Sequence, residues 1–301
     1  MTAKQTQWAH GAILIANLMF GINFTLVKMI SPDYISAFGL NLVRASCTVA
    51  LFWLFWLMKP RQPGIDVKDL PRFILCAITG ITVNQLLFIK GLTLTTPIHA
   101  ALLMLVTPVF ILLISVAFKT EKMTILKATG LFLGIGGAGI LISGRDAGLA
   151  GDDILLGDIL VILNAISYAF YYVSVKPLMK KYKPIHVIRW VFSMGLLLML
   201  PFTLGDFLET NWQAFQMKQY LSMAVVVIGG TFIAYLFTVY GLQHLSASAA
   251  GAYIYLQPVF ASIISMLFFN ETLNVYKMIA AVLIFVGVYL VNKNVRPASE
   301  M

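Results

Sequence analysis

The sequence predicts an all-α membrane protein of ten transmembrane helices, arranged as two inverted five-helix repeats. The first observation behind this is composition: 60% of the 301 residues are hydrophobic, 11% are charged, and the mean hydropathy is +0.89. A soluble domain carries about 25% charged residues, so too little polar surface remains here to coat a globule. The second is that apolar stretches long enough to cross a bilayer recur along the whole chain. The third is a self-similarity at an offset of 150 residues.

A helix needs roughly 20 mostly apolar residues to span the hydrocarbon core. Ten stretches meet or approach that length: Gly11 to Val27, Ile35 to Met58, Phe73 to Ile89, His99 to Phe118, Ile125 to Ile142, Ile159 to Val175, Ile185 to Leu204, Tyr220 to Tyr240, Ala249 to Phe269 and Val275 to Val291. Turn and charge signals separate them, among them Lys59-Pro60-Arg61, Gly144-Arg145-Asp146 and Lys180-Lys181-Tyr182-Lys183-Pro184. Lipid offers no partner to free backbone groups, so apolar segments of this length must be helical. The first stretch carries no small-residue cleavage site, which separates it from a secretory leader.

The net charge of +9 does not point to nucleic acid, because the basic residues fall between apolar spans and form no stripe. They report orientation instead. With an inside amino terminus, Lys59, Arg61, Lys68 and Arg72, then Lys119, Lys122 and Lys127, then the Lys176 to Arg189 cluster, and finally Lys293 and Arg296 all lie inside. Lys28, Lys90, Arg145, Lys218 and Lys277 lie outside. The bias is about threefold, which places both termini in the cytoplasm of a cell-membrane protein and requires an even number of spans.

Over positions 91 to 140 against 241 to 290, thirteen of fifty residues are identical without gaps, including Pro108-Val109-Phe110 with Pro258-Val259-Phe260, Glu121 with Glu271 and Lys127 with Lys277. Gly80 matches Gly230 at the same offset, and Lys28 matches Lys176 at 148. The repeats run over residues 8–145 and 156–294. Five spans per repeat is an odd number, so the second copy enters the membrane from the opposite side. Inverted repeats create a pseudo-twofold axis in the membrane plane, the symmetry that alternating access uses.

Several short motifs, taken with their order and duplication, carry a family resemblance. Thr107-Pro108-Val109-Phe110 with Ser115 and Phe118-Lys119-Thr120-Glu121-Lys122, and the second copy Gln257-Pro258-Val259-Phe260 with Phe269-Asn270-Glu271-Thr272, resemble the repeated signature of EamA-type permeases of the drug/metabolite transporter superfamily. Gly21-Ile22-Asn23-Phe24, Arg44 and Gly157-Asp158 are similar to the same pattern, and the resemblance runs from about Trp8 to Asn294. It implies a ten-helix fold with a central cavity and the export or exchange of amino acids or related metabolites.

An ionisable residue inside a span is costly and should face the protein interior or a wet cavity. Arg44, nine residues into the second stretch, sits roughly 13 Å deep, near the midplane. Its guanidinium suits either a forked pair with a substrate carboxylate or a tether between helices. Arg189 lies one turn inside its span, where it can snorkel to the surface. Asn23, Asn84, Gln85, Tyr171, Tyr235, Tyr253 and Gln257 are the further candidate binding residues, and Asn17, Asn41, His99, Thr107, Tyr168, Tyr172, Tyr255 and Trp190 are other polar or aromatic groups near the spans' interiors. Each fits a cavity wall or a hydrogen bond between helices. Tyr253 and Gln257, four apart, are expected to share a helix face. Pro108 and Pro258 are expected to be mechanical points. Asp158 is placed at the edge of the sixth span, Glu121 and Glu271 just past span ends, and no carboxylate reads as central. Cys47 and Cys76 read as packing residues and supply no zinc set. No cofactor or metal is expected, and the partners are the bilayer and a small-molecule substrate.

Rival readings lack their residues. No serine–histidine pair or twin in-span aspartates of an intramembrane protease is visible, and no phosphate loop of a nucleotide-driven pump. A sugar-phosphate or nucleotide-sugar carrier calls for more than one deep cation. A channel or sensor is the remaining alternative, disfavoured by the inverted repeat and by the absence of a soluble signalling domain.

Overall fold

The computed structural model describes residues 3–57, 64–120, 122–143, 152–245, 250–269 and 274–292. Among them every regular element is a helix: α1 (Ala3–Ile30), α2 (Ala37–Leu57), α3 (Val67–Leu94), α4 (Pro97–Ala117), α5 (Ile125–Ser143), α6 (Asp152–Lys181), α7 (Pro184–Leu208), α8 (Met217–His244), α9 (Leu256–Phe269) and α10 (Val275–Asn292). Seven of these, α1 to α4 and α6 to α8, are long and apolar enough to cross a membrane. The apolar stretches of α5, α9 and α10 are shorter, Ile125–Gly137, Leu256–Phe268 and Val275–Gly287. Large apolar side chains such as Ile125, Phe132 and Leu267 are exposed on them, an outer surface suited to lipid and not to water.

Local chemistry repeats at the two halves' matched positions. Both α3 and α8 contain a π-helical segment, Ile78–Thr82 and Ile228–Ile233, with Gly80 and Gly230 at its centre. A methyl group on Gly80 would overlap the ring of Tyr171, and one on Gly230 would overlap the amide of Asn23. Tyr171 and Asn23 are themselves 148 apart, the offset of the Lys28/Lys176 pair. Lys28 donates to the backbone carbonyls of Leu92, Thr93 and Thr95 at the end of α3 (3.2, 2.8 and 3.0 Å), and Lys176 donates to the carbonyl of Leu245 past the end of α8. Each lysine therefore satisfies carbonyls that a helix end leaves without partners. At the start of α5 the backbone N–H of Lys127 donates to Thr124 Oγ1 (3.3 Å), and at the start of α10 that of Lys277 donates to Asn274 Oδ1 (2.8 Å). Lys28 and Lys176, placed in loops by hydropathy, are thus inside helices.

The packing crosses between halves. Gly91 of α3 and Gly157 of α6 meet backbone to backbone: a Cβ on Gly91 would lie 2.9 Å from the carbonyl oxygen of Gly157, and one on Gly157 would lie 3.0 Å from that of Gly91. In the matching place Gly241 of α8 receives the side chain of Ile13 from α1. The first helix of each half thus packs on the third helix of the other. Helices α5 and α10 pack against each other, where a Cβ on Gly287 would sit 2.6 Å from the Gly130 carbonyl oxygen and 2.8 Å from the Gly134 nitrogen.

Two expected continuous spans are broken. Helix α4 turns at Leu105 and Val106 before resuming at Thr107, and α9 is preceded by a 3-10 turn, Ala252–Tyr255. Proline has no N–H and its ring clashes with the carbonyl four residues earlier, so Pro108 cannot close the bond to Met104. The hydroxyl of Thr107 donates to that carbonyl instead, at 2.6 Å.

At one end of the bundle Lys181 Nζ lies 2.8 Å from Asp66 Oδ2 and 2.6 Å from Asp69 Oδ2. The hydrogen bond from Lys181 holds the exposed Asp66 carboxyl below its ordinary range. This is called the Asp66 end, and the opposite one the Thr95 end. Cys76 is buried, whereas Cys47 is exposed on α2 and does not pack in the core. Glu121 and Glu271 lie outside the described residues.

Candidate functional site

A cavity with about 430 Å³ of empty space opens between the middles of α1, α2, α3, α4, α6 and α8 and the start of α9. Its polar lining is Asn23, Arg44, Asn84, Gln85, Asn164 and Gln257. Its apolar and aromatic lining is Phe20, Phe24, Phe88, Met104, Tyr168 and Tyr235. Phe20 and Tyr168 are 148 apart and Gln85 and Tyr235 are 150 apart, so matched positions of the halves face one another across it. Met104 joins the wall where α4 is broken, so the proline-dependent turn borders the cavity.

Arg44 is 2% exposed and is held from one side only. Its Nε donates to Thr231 Oγ1 at 3.0 Å, and Thr231 itself donates to the carbonyl of Val226 at 2.9 Å across the π segment of α8. Arg44 Nη1 is buried with no hydrogen-bond partner among the described residues. Three amide oxygens of the same cavity, Asn23 Oδ1, Gln85 Oε1 and Asn164 Oδ1, and the amide nitrogen of Gln85 are likewise buried with no hydrogen-bond partner among the described residues.

Asn164, Tyr235 and Gln257 are fixed by long-range bonds. Asn164 Nδ2 donates to the backbone carbonyl of Asn84 (2.7 Å), tying α6 to α3. Tyr235 lies with its hydroxyl 3.0 Å from Asn84 Oδ1 and 3.3 Å from the carbonyl of Gly80. Gln257 Nε2 donates to Asn17 Oδ1 at 2.6 Å, and Asn41 Nδ2 to the carbonyl of Gln85 at 3.1 Å. A buried amide or guanidinium nitrogen left unpaired costs about 1–3 kcal/mol or more. Unmet donors and acceptors in a cavity therefore favour a solute that supplies the complementary groups.

Of the candidate residues, Arg44, Asn23, Asn84, Gln85, Tyr235 and Gln257 come together here. Tyr171 and Tyr253 do not. The ring of Tyr171 wedges against Gly80 and is fully buried. Tyr253 lies on the 3-10 turn with its hydroxyl 2.8 Å from His10 Nδ1, because a 3-10 turn rotates it off the face an α-helix would share with Gln257. Asn164 was missed, although an asparagine in mid-span was signal enough.

Two further groups depart from expectation. Arg189 does not snorkel: its guanidinium stacks among Trp53, Trp56 and Trp190 (4.7, 4.9 and 5.8 Å to the ring centres), outside the cavity lining. Asp158 is not a surface group. Helix α6 starts at Asp152, about two turns before the apolar run at Ile159, so Asp158 is carried inward and is fully buried. Its Oδ1 lies 2.8 Å from His99 Nδ1 and accepts from Thr95 Oγ1 at 3.0 Å.

Comparison with known proteins places this geometry. A solved crystal structure matches the fold with a TM-score of 0.66 at 18% identity, over 96% of this chain and 96% of that one. An uncharacterized transporter of Archaeoglobus fulgidus is 22% identical, covering 93% of this chain and 96% of its own length. A probable terminal-alkyne amino-acid exporter of Streptantibioticus cattleyicolor is 27% identical over 85% of this chain and 84% of its own. The model of the EamA-like transporter family matches twice, over residues 7–143 and 155–293. The chain is a multi-pass membrane transporter, not an enzyme, and belongs to the EamA-like transporter family.

Proposed function

We propose that the chain is a ten-span carrier of two inverted repeats that moves an amino acid with an apolar side chain, by alternating access through the central cavity. The observation that carries this is the set of unmet groups around one cavity: a guanidinium nitrogen of Arg44 facing a solute carboxylate, and the amide oxygens of Asn23 and Asn164 as acceptors for its ammonium group. The rings of Phe20, Phe24, Phe88 and Tyr168 then receive the side chain. A single lining cation and no lining carboxylate suit one carboxylate, not a phosphate ester. The printed name of the Streptantibioticus relative points to the same class. The lysine and arginine bias supports a cytoplasmic Asp66 end and cytoplasmic termini in the cell membrane, and in this reading the two repeats extend over 8–145 and 156–294.

The test is flux into proteoliposomes with a panel of labelled amino acids and analogues lacking either charged group. Zwitterions with apolar side chains are expected to move, and removing the carboxylate is expected to abolish movement. Equal flux of the decarboxylated amine would remove the proposal.

The breaks at Pro108 and Pro258 act as hinges in this reading. Pro108→Ala restores an N–H that can bond to Met104, and the continuous α4 no longer flexes at the cavity wall. Flux is expected to fall severalfold with an unchanged melting temperature, for Pro258→Ala as well. Unaltered flux in both variants would exclude the hinge role.

A further inference from the structure

We propose that Arg189 and the tryptophans around it bind the phosphodiester group of an anionic phospholipid, on the outer face of the bundle near its Asp66 end and apart from the central cavity. The cluster is built from α2, which supplies Trp53 and Trp56, and from α7, which supplies Arg189 and Trp190. Arg189 follows the first residue of α7, Pro184, by about 7.5 Å along the helix. It thus sits in the first turns of that helix, where a span meets the membrane interface and tryptophans concentrate.

The groups left over in the cluster are donors. The ring stacking takes up the faces of the guanidinium, whereas its N–H groups point outward in its own plane, so the cation–π contacts do not use up its hydrogen bonds. One such bond joins Arg189 Nη2 to His186 Nδ1 at 3.1 Å. A guanidinium can only donate, so Nδ1 accepts and a neutral His186 carries its proton on Nε2. Arg189 Nε, Trp56 Nε1, Trp190 Nε1 and His186 Nε2 are all buried with no hydrogen-bond partner among the described residues. Trp53 differs: its Nε1 donates to Ser193 Oγ at 2.9 Å, and that hydroxyl donates to the carbonyl of Arg189 at 2.8 Å.

The charge is likewise unbalanced. Arg189 is 3% exposed and takes part in no ion pair among the described residues, and Asp66 and Asp69 at this end are held by Lys181. A buried cation with spare donors calls for an anion that accepts. The two unesterified oxygens of a phosphodiester carry one negative charge and accept several charge-assisted bonds. The tryptophan rings over the guanidinium are only half-buried, so a headgroup reaches it by turning side chains and not by moving backbone. Beside them on α2, Leu54, Phe55 and Leu57 are exposed, a surface for acyl chains. Lys180 and Lys183, exposed at the same end, add attraction for an acidic headgroup. A choline headgroup brings an ammonium for which the spare donors offer nothing.

The test uses the purified full-length chain in detergent micelles and needs no transported solute. Of the five tryptophans, the two outside the cluster are Trp8 and Trp212, and with both replaced by phenylalanine the cluster supplies the whole tryptophan emission. Added phosphatidylglycerol is expected to change that emission saturably and to raise the melting temperature, while phosphatidylcholine and inorganic phosphate at the same concentration do neither. Arg189→Gln is expected to weaken phosphatidylglycerol binding roughly tenfold or more, the effect of losing hydrogen bonds to a charged group. Should that variant fail to fold, Trp56→Phe with Trp190→Phe keeps the rings and removes two donors, and the lipid-dependent rise in its melting temperature should need severalfold more phosphatidylglycerol. An equal response to phosphatidylcholine would make the cluster an ordinary interfacial belt, and an equal response to inorganic phosphate a site for a free anion. Undiminished affinity for phosphatidylglycerol in either variant would make it a merely structural stack, and each of these three results overturns the proposal.

Discussion

Arg44→Lys is expected to lower affinity for the proposed amino-acid substrate roughly tenfold to a hundredfold, the equivalent of losing a charge-assisted hydrogen bond worth about 1.5–3 kcal/mol. The structure supplies the reason. Arg44 uses Nε on Thr231 and keeps Nη1 unengaged, and a lysine ammonium has no second, fixed prong with which to do both. The variant should insert and stay monodisperse, because the positive charge and the alkyl stem remain. Binding and thermal unfolding measured on the same purified protein separate the readings. Normal affinity in a folded Arg44→Lys protein would reduce Arg44 to a tether between α2 and α8, while lost stability with normal affinity would make it structural. Thr231→Val supplies the complement: it frees the guanidinium without removing it, so its effect on affinity should be smaller than that of the lysine.

The second large effect is on stability. Gly287→Ala should lower the melting temperature in detergent, since the added carbon would fall 2.6 Å from a backbone oxygen and 2.8 Å from a backbone nitrogen of α5, and backbone cannot move aside as a side chain does. Overpacking of this kind costs about 1–3 kcal/mol, against a gain in helix propensity of about 1 kcal/mol for replacing glycine. Gly136, on the same α5, has nothing within 4 Å of the added carbon, so Gly136→Ala keeps only the gain and should be neutral or stabilising. If both variants behave alike, close α5–α10 packing is not what stabilises this face.

Helix positions were legible because hydropathy is local and lipid admits one backbone solution. Arg44 and Asn23 were legible for a related reason: a polar group deep in an apolar run needs an interior place. What escaped the sequence depends on residues far apart in it. Asp158 looked superficial because hydropathy starts the span at Ile159, while the helix begins at Asp152 and His99 and Thr95, some sixty residues away, are what make burial tolerable. Tyr171 read as a binding residue ahead of Tyr168, yet Tyr168 lines the cavity and Tyr171 fills the space that Gly80 leaves. The face shared by Tyr253 and Gln257 presumed a continuous α-helix where the chain makes a 3-10 turn.

The crossed packing of first helices onto third helices has a consequence for synthesis. Helix α1 ends at Ile30, and its partner α8 begins at Met217. At about 5–20 residues per second, the ribosome takes on the order of ten to forty seconds to make what lies between. During that interval α1 waits in the bilayer with Asn17 and Asn23 lacking the second-half neighbours, Gln257 and Gly230, that they pack against, whereas α6 emerges to find α3 already in place. The nascent chain thus assembles its two halves in unequal order, and the amino-terminal helix is the segment most dependent on a chaperone or on the translocon holding it until the second half arrives.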